Sequence, residues 1–184
     1  RKLSFGVSGL LYQSDVLMYD RETESLWSQL ASRAVAGSLS NTTLDLQPSE
    51  IMAWGAWKDR NPDGMVLSTD TGFPRDYTEN SYESYAQSPD TAFPVPQYRT
   101  ELPKKSWVVG VLVGREAKAY PLDKLSQGGT VLDKIENLEI ELSYDTQSQH
   151  ISVKARDSGG SIPYVKSYWF AWQAFYPQTK LWFP

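Results

Sequence analysis

Trp54-Gly55-Ala56-Trp57, followed by Pro62, returns as Trp169-Phe170-Ala171-Trp172, followed by Pro177, with every member 115 positions further on (54 to 169, 57 to 172, 62 to 177). A fixed internal spacing of this kind points to one building unit used twice, and it narrows the architectures open to the chain more than any other feature. The 184 residues then divide, within one domain, into a partial first repeat (1–67), a long aromatic loop (68–103) and a second repeat (104–184). Trp54 and Trp57 lie three apart, as do Trp169 and Trp172, so each pair shares one face of a short helix ended by the following proline.

Seven Trp and 11 Tyr within a 40% hydrophobic composition favour sheet, where broad flat side chains cover a pleated surface. The expected fold is mainly β (α+β): an internally repeated curved sheet or partly open barrel, with the two short Trp-bearing helices plugging it. Leu3 to Tyr12, Val16 to Tyr19 and the region around Leu26 read as a meander turned by Asp20-Arg21-Glu22-Thr23, although Leu26, Trp27, Leu30, Ala31, Ala34 and Val35 also recur at helical spacing. Ser49 is the expected cap of the first helix, and Met65-Val66-Leu67 is expected as a strand. Val108 to Val113 and Glu116 to Tyr120 form a hairpin across Gly114-Arg115. A second hairpin joins Leu138, Ile140, Leu142 and Tyr144 to Ile151, Val153 and Ala155, and an aromatic helix spans Tyr168 to Tyr176.

A formal net charge of −4, from 18 Lys and Arg against 22 Asp and Glu, offers no basic field for a phosphate backbone, so nucleic acid is not an expected partner. The longest apolar run, Trp107 to Val113, falls far short of the roughly 20 residues that span a bilayer. With no Cys and a single His, His150, the chain has no thiol nucleophile and no thiolate or multi-histidine metal set, and neither metal nor cofactor is expected.

Gly6-Val7-Ser8-Gly9 lacks the spacing of a nucleophile elbow. Asp15, Asp20 and Glu24, or Asp76, Glu79 and Glu83, are carboxylate groups that glycoside cleavage would need in facing pairs; solvated turn carboxylates are the commoner use of such residues. No catalytic residue is assigned. Asp20, Arg21 and Glu24 and, in the long loop, Arg75, Asp76, Tyr77 and Tyr85 are the candidates for holding a ligand or locking a loop, since an Arg beside a carboxylate forms a bidentate pair or receives an anion. Trp27, Trp54, Trp57, Trp169 and Trp172 are expected to be structural, as large apolar groups whose N–H needs one acceptor.

Phe5-Gly-Val-Ser-Gly9, Ser14-Asp15 through Tyr19-Asp20-Arg21, Thr23 through Gln29, Arg75-Asp76-Tyr77, Ala119-Tyr-Pro-Leu122 and Trp169-Phe-Ala-Trp172 together resemble the uncharacterised bacterial and archaeal family known as domain of unknown function 3179. The resemblance runs through almost the whole chain in order. Members of that family carry, before the Phe-Gly-Val-Ser-Gly motif, a first copy of the Ala-Tyr-Pro-Leu hairpin and a Cys-Pro-x-Cys-Gly motif. The resemblance therefore implies that a chain starting at Arg1 is a fragment or has lost half its first repeat, and that a redox or metal role needs residues not present here. Where members have a histidine before the two prolines, Asn61 and Tyr176 stand instead.

By elimination the expected function is a non-catalytic module, extracytoplasmic as the resemblance implies, that binds a protein partner or small ligand through the 68–103 loop or serves as accessory subunit of a larger assembly. A hydrolase of carbohydrate or another polar substrate is the alternative.

Overall fold

The computed structural model describes residues 2–127 and 129–184. Among them the chain forms eleven strands and four short helices: β1 (Phe5–Tyr12), β2 (Asp15–Asp20), β3 (Leu26–Ser28), β4 (Arg33–Ala36), α1 (Trp54–Arg60), α2 (Glu83–Gln87), β5 (Trp107–Val113), β6 (Glu116–Pro121), α3 (Leu122–Leu125), β7 (Thr130–Ile135), β8 (Leu138–Asp145), β9 (His150–Ala155), β10 (Tyr164–Tyr168), α4 (Trp169–Phe175) and β11 (Lys180–Leu181). The fold is mainly β, in three open sheets of order β1-β2-β3-β4, β10-β5-β6-β11 and β7-β8-β9. None of the three closes on itself, which corrects the partly open barrel.

Both faces of β5 are covered, and this is why Val108 to Val113 has no polar alternation. Val109 and Val111 face one cluster with Tyr120, Leu125, Ile135, Ile140, Leu142 and Ile151, which joins the second sheet to the third. Val108 faces the other way, onto Ala119, Trp169 and Trp172. Between them Gly110 leaves room for the indole of Trp172, where any Cβ would collide with the ring. The third sheet has one wet face, so β8 and β9 keep the alternation read from the sequence: Ile140, Leu142, Ile151 and Val153 are inward and Glu139, Glu141 and Lys154 outward.

The first sheet is the meander expected, with Trp27 opposite Ala34 across β3 and β4, and strands rather than helix are the outcome for Leu26 to Val35. Gln13 and Ser14 both have positive φ, 52° and 67°, in the two-residue connection that matches the twist of β1 and β2. Two contacts seat this sheet on the end of α4: Tyr176 donates its hydroxyl to the carbonyl of Leu30 at 2.6 Å, and Tyr12 meets Phe175 edge-on at 5.6 Å.

Three expectations for the middle of the chain are corrected. Helix α1 begins at Trp54 with Ala53 as its cap. Ser49 lies instead in the irregular stretch before it, whose backbone is engaged elsewhere, Ile51 N–H on the Tyr164 hydroxyl and Ala53 N–H on the Ser148 carbonyl. Met65-Val66-Leu67 pairs with no strand and is exposed. Nor does α1 plug a sheet, for it buries no side chain, whereas α4 buries Trp169, Phe170, Trp172, Gln173 and Ala174. Residues 54–64 and 169–179 share a seven-residue helix, its cap dihedrals and the turn that leaves it.

Candidate functional site

Asp20 ends β2 and is fully buried in the turn to β3. A carboxylate taken out of water needs donors, and four hydrogen bonds supply them: the Thr23 N–H at 2.6 Å, the Thr23 hydroxyl at 2.8 Å to each oxygen, and the Trp27 indole N–H at 2.9 Å. Burial pushes its pKa up, but the bonds from Trp27 and Thr23 outweigh that and hold it below the usual carboxylate value. The turn is closed further by the Thr23 and Ser25 hydroxyls, 2.8 Å apart, and by Glu24 in the left-handed region at φ 56°. A carboxylate so fully engaged holds the turn between β2 and β3 in place.

Arg21 does not pair with Asp20. Its guanidinium donates to the Tyr19 hydroxyl at 2.9 Å and lies 5.5 Å from that ring's centre, while Glu22 reaches back to the Ser4 N–H and hydroxyl. Arg75 likewise forms no pair with Asp76 among the described residues. Asp76 accepts from the N–H and hydroxyl of Thr78 at 2.8 and 2.6 Å, which lowers its pKa, and Tyr77 shares a 2.6 Å hydrogen bond with Thr71. The two Arg-carboxylate motifs therefore build two separate turns, and no hydrogen bond or ion pair joins them among the described residues.

Tyr85, on α2, fastens the loop. The Lys105 ammonium lies 3.5 Å from the centre of its ring and donates to the carbonyls of Tyr85 and Ser88, and Tyr168 meets the same ring edge-on at 6.5 Å. Further along, Gln173 donates to the Gln97 carbonyl at 2.7 Å, Trp169 donates to the Arg99 carbonyl at 3.1 Å, and Arg99 reaches the Thr179 carbonyl at 2.6 Å. Val95 is buried against Phe170 and Ala174. Lys105, Arg99 and Gln173 escaped the sequence reading; long polar side chains near a chain of loop carbonyls are the only signal they gave, and their partners lie 17 to 80 residues away.

The tryptophans separate into two groups. Trp27, Trp169 and Trp172 are buried with their N–H groups satisfied, by Asp20, the Arg99 carbonyl and the Thr179 hydroxyl respectively. Trp54 stacks on Trp57 at 5.3 Å but remains 54% exposed, and Trp57 is half-buried, so neither is enclosed as the other three are. Exposure continues along the chain, through Met65 at 95%, Leu67 at 96%, Phe73, Tyr82 and Phe93.

Two of the clefts gather four acidic or basic side chains each. One, of about 500 Å³, lies beside Phe175 and Pro177, where Glu116 pairs with Lys180 at 2.8 Å and Glu136 accepts from the backbone N–H of Arg115 at 2.8 Å. The other, of about 470 Å³, runs between residues 48–50 and β9, where His150 meets Glu50 at 3.2 Å beside Arg60 and Lys154. Among the described residues no group of three or more His, Cys, Asp and Glu gathers as a metal site would, and no helix is long and apolar enough to cross a membrane.

Three open sheets, an internally satisfied carboxylate turn and a long, exposed, aromatic connection define a mainly β scaffold with a tethered loop. The chain belongs to the family described as protein of unknown function (DUF3179), whose pattern matches residues 1–162. No curated protein and no solved structure matches it.

Proposed function

We propose that this chain is a non-catalytic binding or accessory-subunit module, and that its contact surface is the segment from Trp54 to Phe93. The observation that supports this most is the contrast between that segment and its ends. Lys105 and Arg99 hold the loop to the body, while Trp54, Met65, Leu67, Phe73, Tyr82 and Phe93 stay in water. Soluble chains seldom expose so many large apolar groups in one stretch unless another surface covers them. A site outside the cytoplasm belongs to this reading and rests on the family resemblance alone.

Purification from the native source tests it. The wild-type chain is expected to bring down one companion polypeptide in a fixed ratio, and a folded Trp54→Ser, Leu67→Ser double variant is expected to lose it. Recovery of the wild-type chain alone, with those residues as open to chemical labelling in the cell extract as in the pure protein, overturns the reading.

A further inference from the structure

The cleft beside Phe175 is built by two tight turns from different sheets. Gly114-Arg115 joins β5 to β6, and Glu136-Asn137 joins β7 to β8. The turns interlock: Glu136 Oε1 accepts the Arg115 N–H at 2.8 Å, and Gly114, at φ 57°, has no room for a Cβ beneath the Glu136 carboxylate. Glu136 itself stands in the left-handed region at φ 49°, where Asn or Gly would fit the backbone with less strain. What Glu adds at this position is a carboxylate laid over the neighbouring turn.

The opposite wall comes from the exit of α4. Phe175 and Pro177 supply its apolar surface, and Lys180, the first residue of β11, closes it through a 2.8 Å ion pair with Glu116. Because β11 pairs with β6 and the Tyr176 hydroxyl is fastened to the Leu30 carbonyl, this wall is held on both sides. The cleft lies at the Leu138 end of β8, whereas the segment leading into α1 is attached beyond the other end, at the Ser148 carbonyl.

The charges of the cleft balance, but they are not all paired. Arg115 and Lys180 line it together with Glu116 and Glu136, so the two signs are equally represented. Among the described residues the Arg115 guanidinium makes no hydrogen bond or ion pair, and the second oxygen of Glu136 has no donor. A ligand of one sign meets as much repulsion as attraction in such a place. One that carries a carboxylate and an ammonium a few ångströms apart is drawn at both ends, the carboxylate by the planar fork of Arg and the ammonium by Glu. An apolar wall beside a few convergent polar groups then takes the rest of the molecule out of water.

We infer that this cleft binds a free α-amino acid with an apolar side chain, Arg115 receiving its carboxylate, Glu136 its ammonium and Phe175 its side chain. The site does not rest on the binding role of Trp54 to Phe93, none of which lines the cleft, and either can fail alone.

Nuclear magnetic resonance titration of the isotope-labelled chain with L-leucine and with L-phenylalanine is the test. Either amino acid, at up to about 10 mM, is expected to shift the amide signals of Arg115, Glu136 and Gln178 in a saturable way. Leucinamide and N-acetyl-leucine each lack one of the two charges and are expected to bind at least about tenfold more weakly. Arg115→Met and Glu136→Gln are expected to weaken leucine binding by about the same factor. The second variant keeps an acceptor for the Arg115 N–H, and unchanged urea midpoints show that both remain folded. N-acetyl-leucine binding as tightly as leucine makes this a plain anion site and overturns the inference; leucinamide binding as tightly makes it a cation site and does the same. So do unmoved signals at all three positions, or leucine binding that survives both substitutions.

Discussion

Trp27 and Asp20 meet at 2.9 Å, indole N–H on carboxylate, with both residues buried. All the groups facing this carboxylate are donors, so an amide in its place would turn an NH₂ toward at least one of them. Asp20→Asn is therefore expected to destabilise the chain more than Trp27→Phe, which removes one donor and costs about 1 kcal/mol. Urea unfolding monitored by circular dichroism measures both, and equal midpoints would refute the account.

Acid should unfold the protein through the Asp20 turn and through Asp133 in β7. Asp133 is held by Lys118 at 2.6 Å and by the Tyr120 hydroxyl at 2.8 Å, linking β7 to β6; burial raises its pKa and these two bonds bring it below the ordinary value. For Asp20 and Asp133 the folded state binds a proton less readily than the unfolded chain. Their contribution is thus complete above the unfolded pKa near 3.9 and is lost as pH falls below it toward the folded values. Stability is expected to be flat from pH 6 to about 5 and to fall steeply below about 4. Lys118→Met, which strands the carboxylate, is expected to cost about 2 kcal/mol at neutral pH and to flatten the acid limb. An acid limb unchanged by this substitution contradicts the assignment.

Equal sequence spacing does not mean equal energetic weight for the tryptophans. Trp172→Ala removes a ring that fills the space over Gly110 and should cost about 3–5 kcal/mol. Trp54→Ala loses only a partly exposed stack on Trp57, about 1 kcal/mol or less. Midpoints of urea denaturation for the two variants check this, and a large loss for Trp54→Ala in the isolated chain would mean that its face is already covered.

That asymmetry marks the boundary of what the sequence could convey. The alternation of Leu138 to Ala155 and the dense run at Val108 to Val113 reported the hairpins directly, because burial on one face or on both writes itself into the residue pattern. Trp54-Gly-Ala-Trp57 and Trp169-Phe-Ala-Trp172 specified one helical turn twice, yet whether a sheet lies beneath depends on strands distant in the chain. Strand β10 escaped notice for a similar reason: Tyr164 to Tyr168 has one aliphatic residue, and it is paired by β5, more than 50 positions away. At the candidate site, Asp20 was visible as a turn residue but not as a buried one. The indole seven residues later, needing an acceptor, was the clue to its burial.

Alkaline conditions test the seam between the first sheet and α4. Burial raises the Tyr176 pKa to about 12, with Arg33 drawing it part of the way back. Here the folded state holds the proton more tightly, so the stabilisation is complete below the unfolded value near 10 and is lost as pH rises from about 10 to about 12. Tyr176→Phe is expected to remove that decline and, by leaving the Leu30 carbonyl without its donor, to cost about 1 kcal/mol at neutral pH. Tyrosinate absorbance against pH should lose one late-titrating group in the variant; retention of every late group would place the seam elsewhere.

The final test concerns the loop that carries the exposed aromatics. Lys105 holds α2 through two carbonyls and the face of Tyr85, contacts made by its ammonium, while its aliphatic stem can be kept by methionine. Losing a charge-assisted hydrogen bond of this sort raises local opening by roughly tenfold or more without unfolding the sheets beneath. Lys105→Met is therefore expected to speed limited proteolysis between Tyr82 and Phe93 by about that factor, with the urea midpoint of the body nearly unmoved. Arg99→Met should act in the same direction nearer α4, where the lost contacts include the Thr179 and Pro177 carbonyls, the Glu101 carboxylate and the face of Trp169. If cleavage is as slow in both variants as in the wild type, the loop is held by its apolar contacts at Val95 and Tyr98 alone; if the body unfolds with the loop, the loop is part of the core rather than tethered to it.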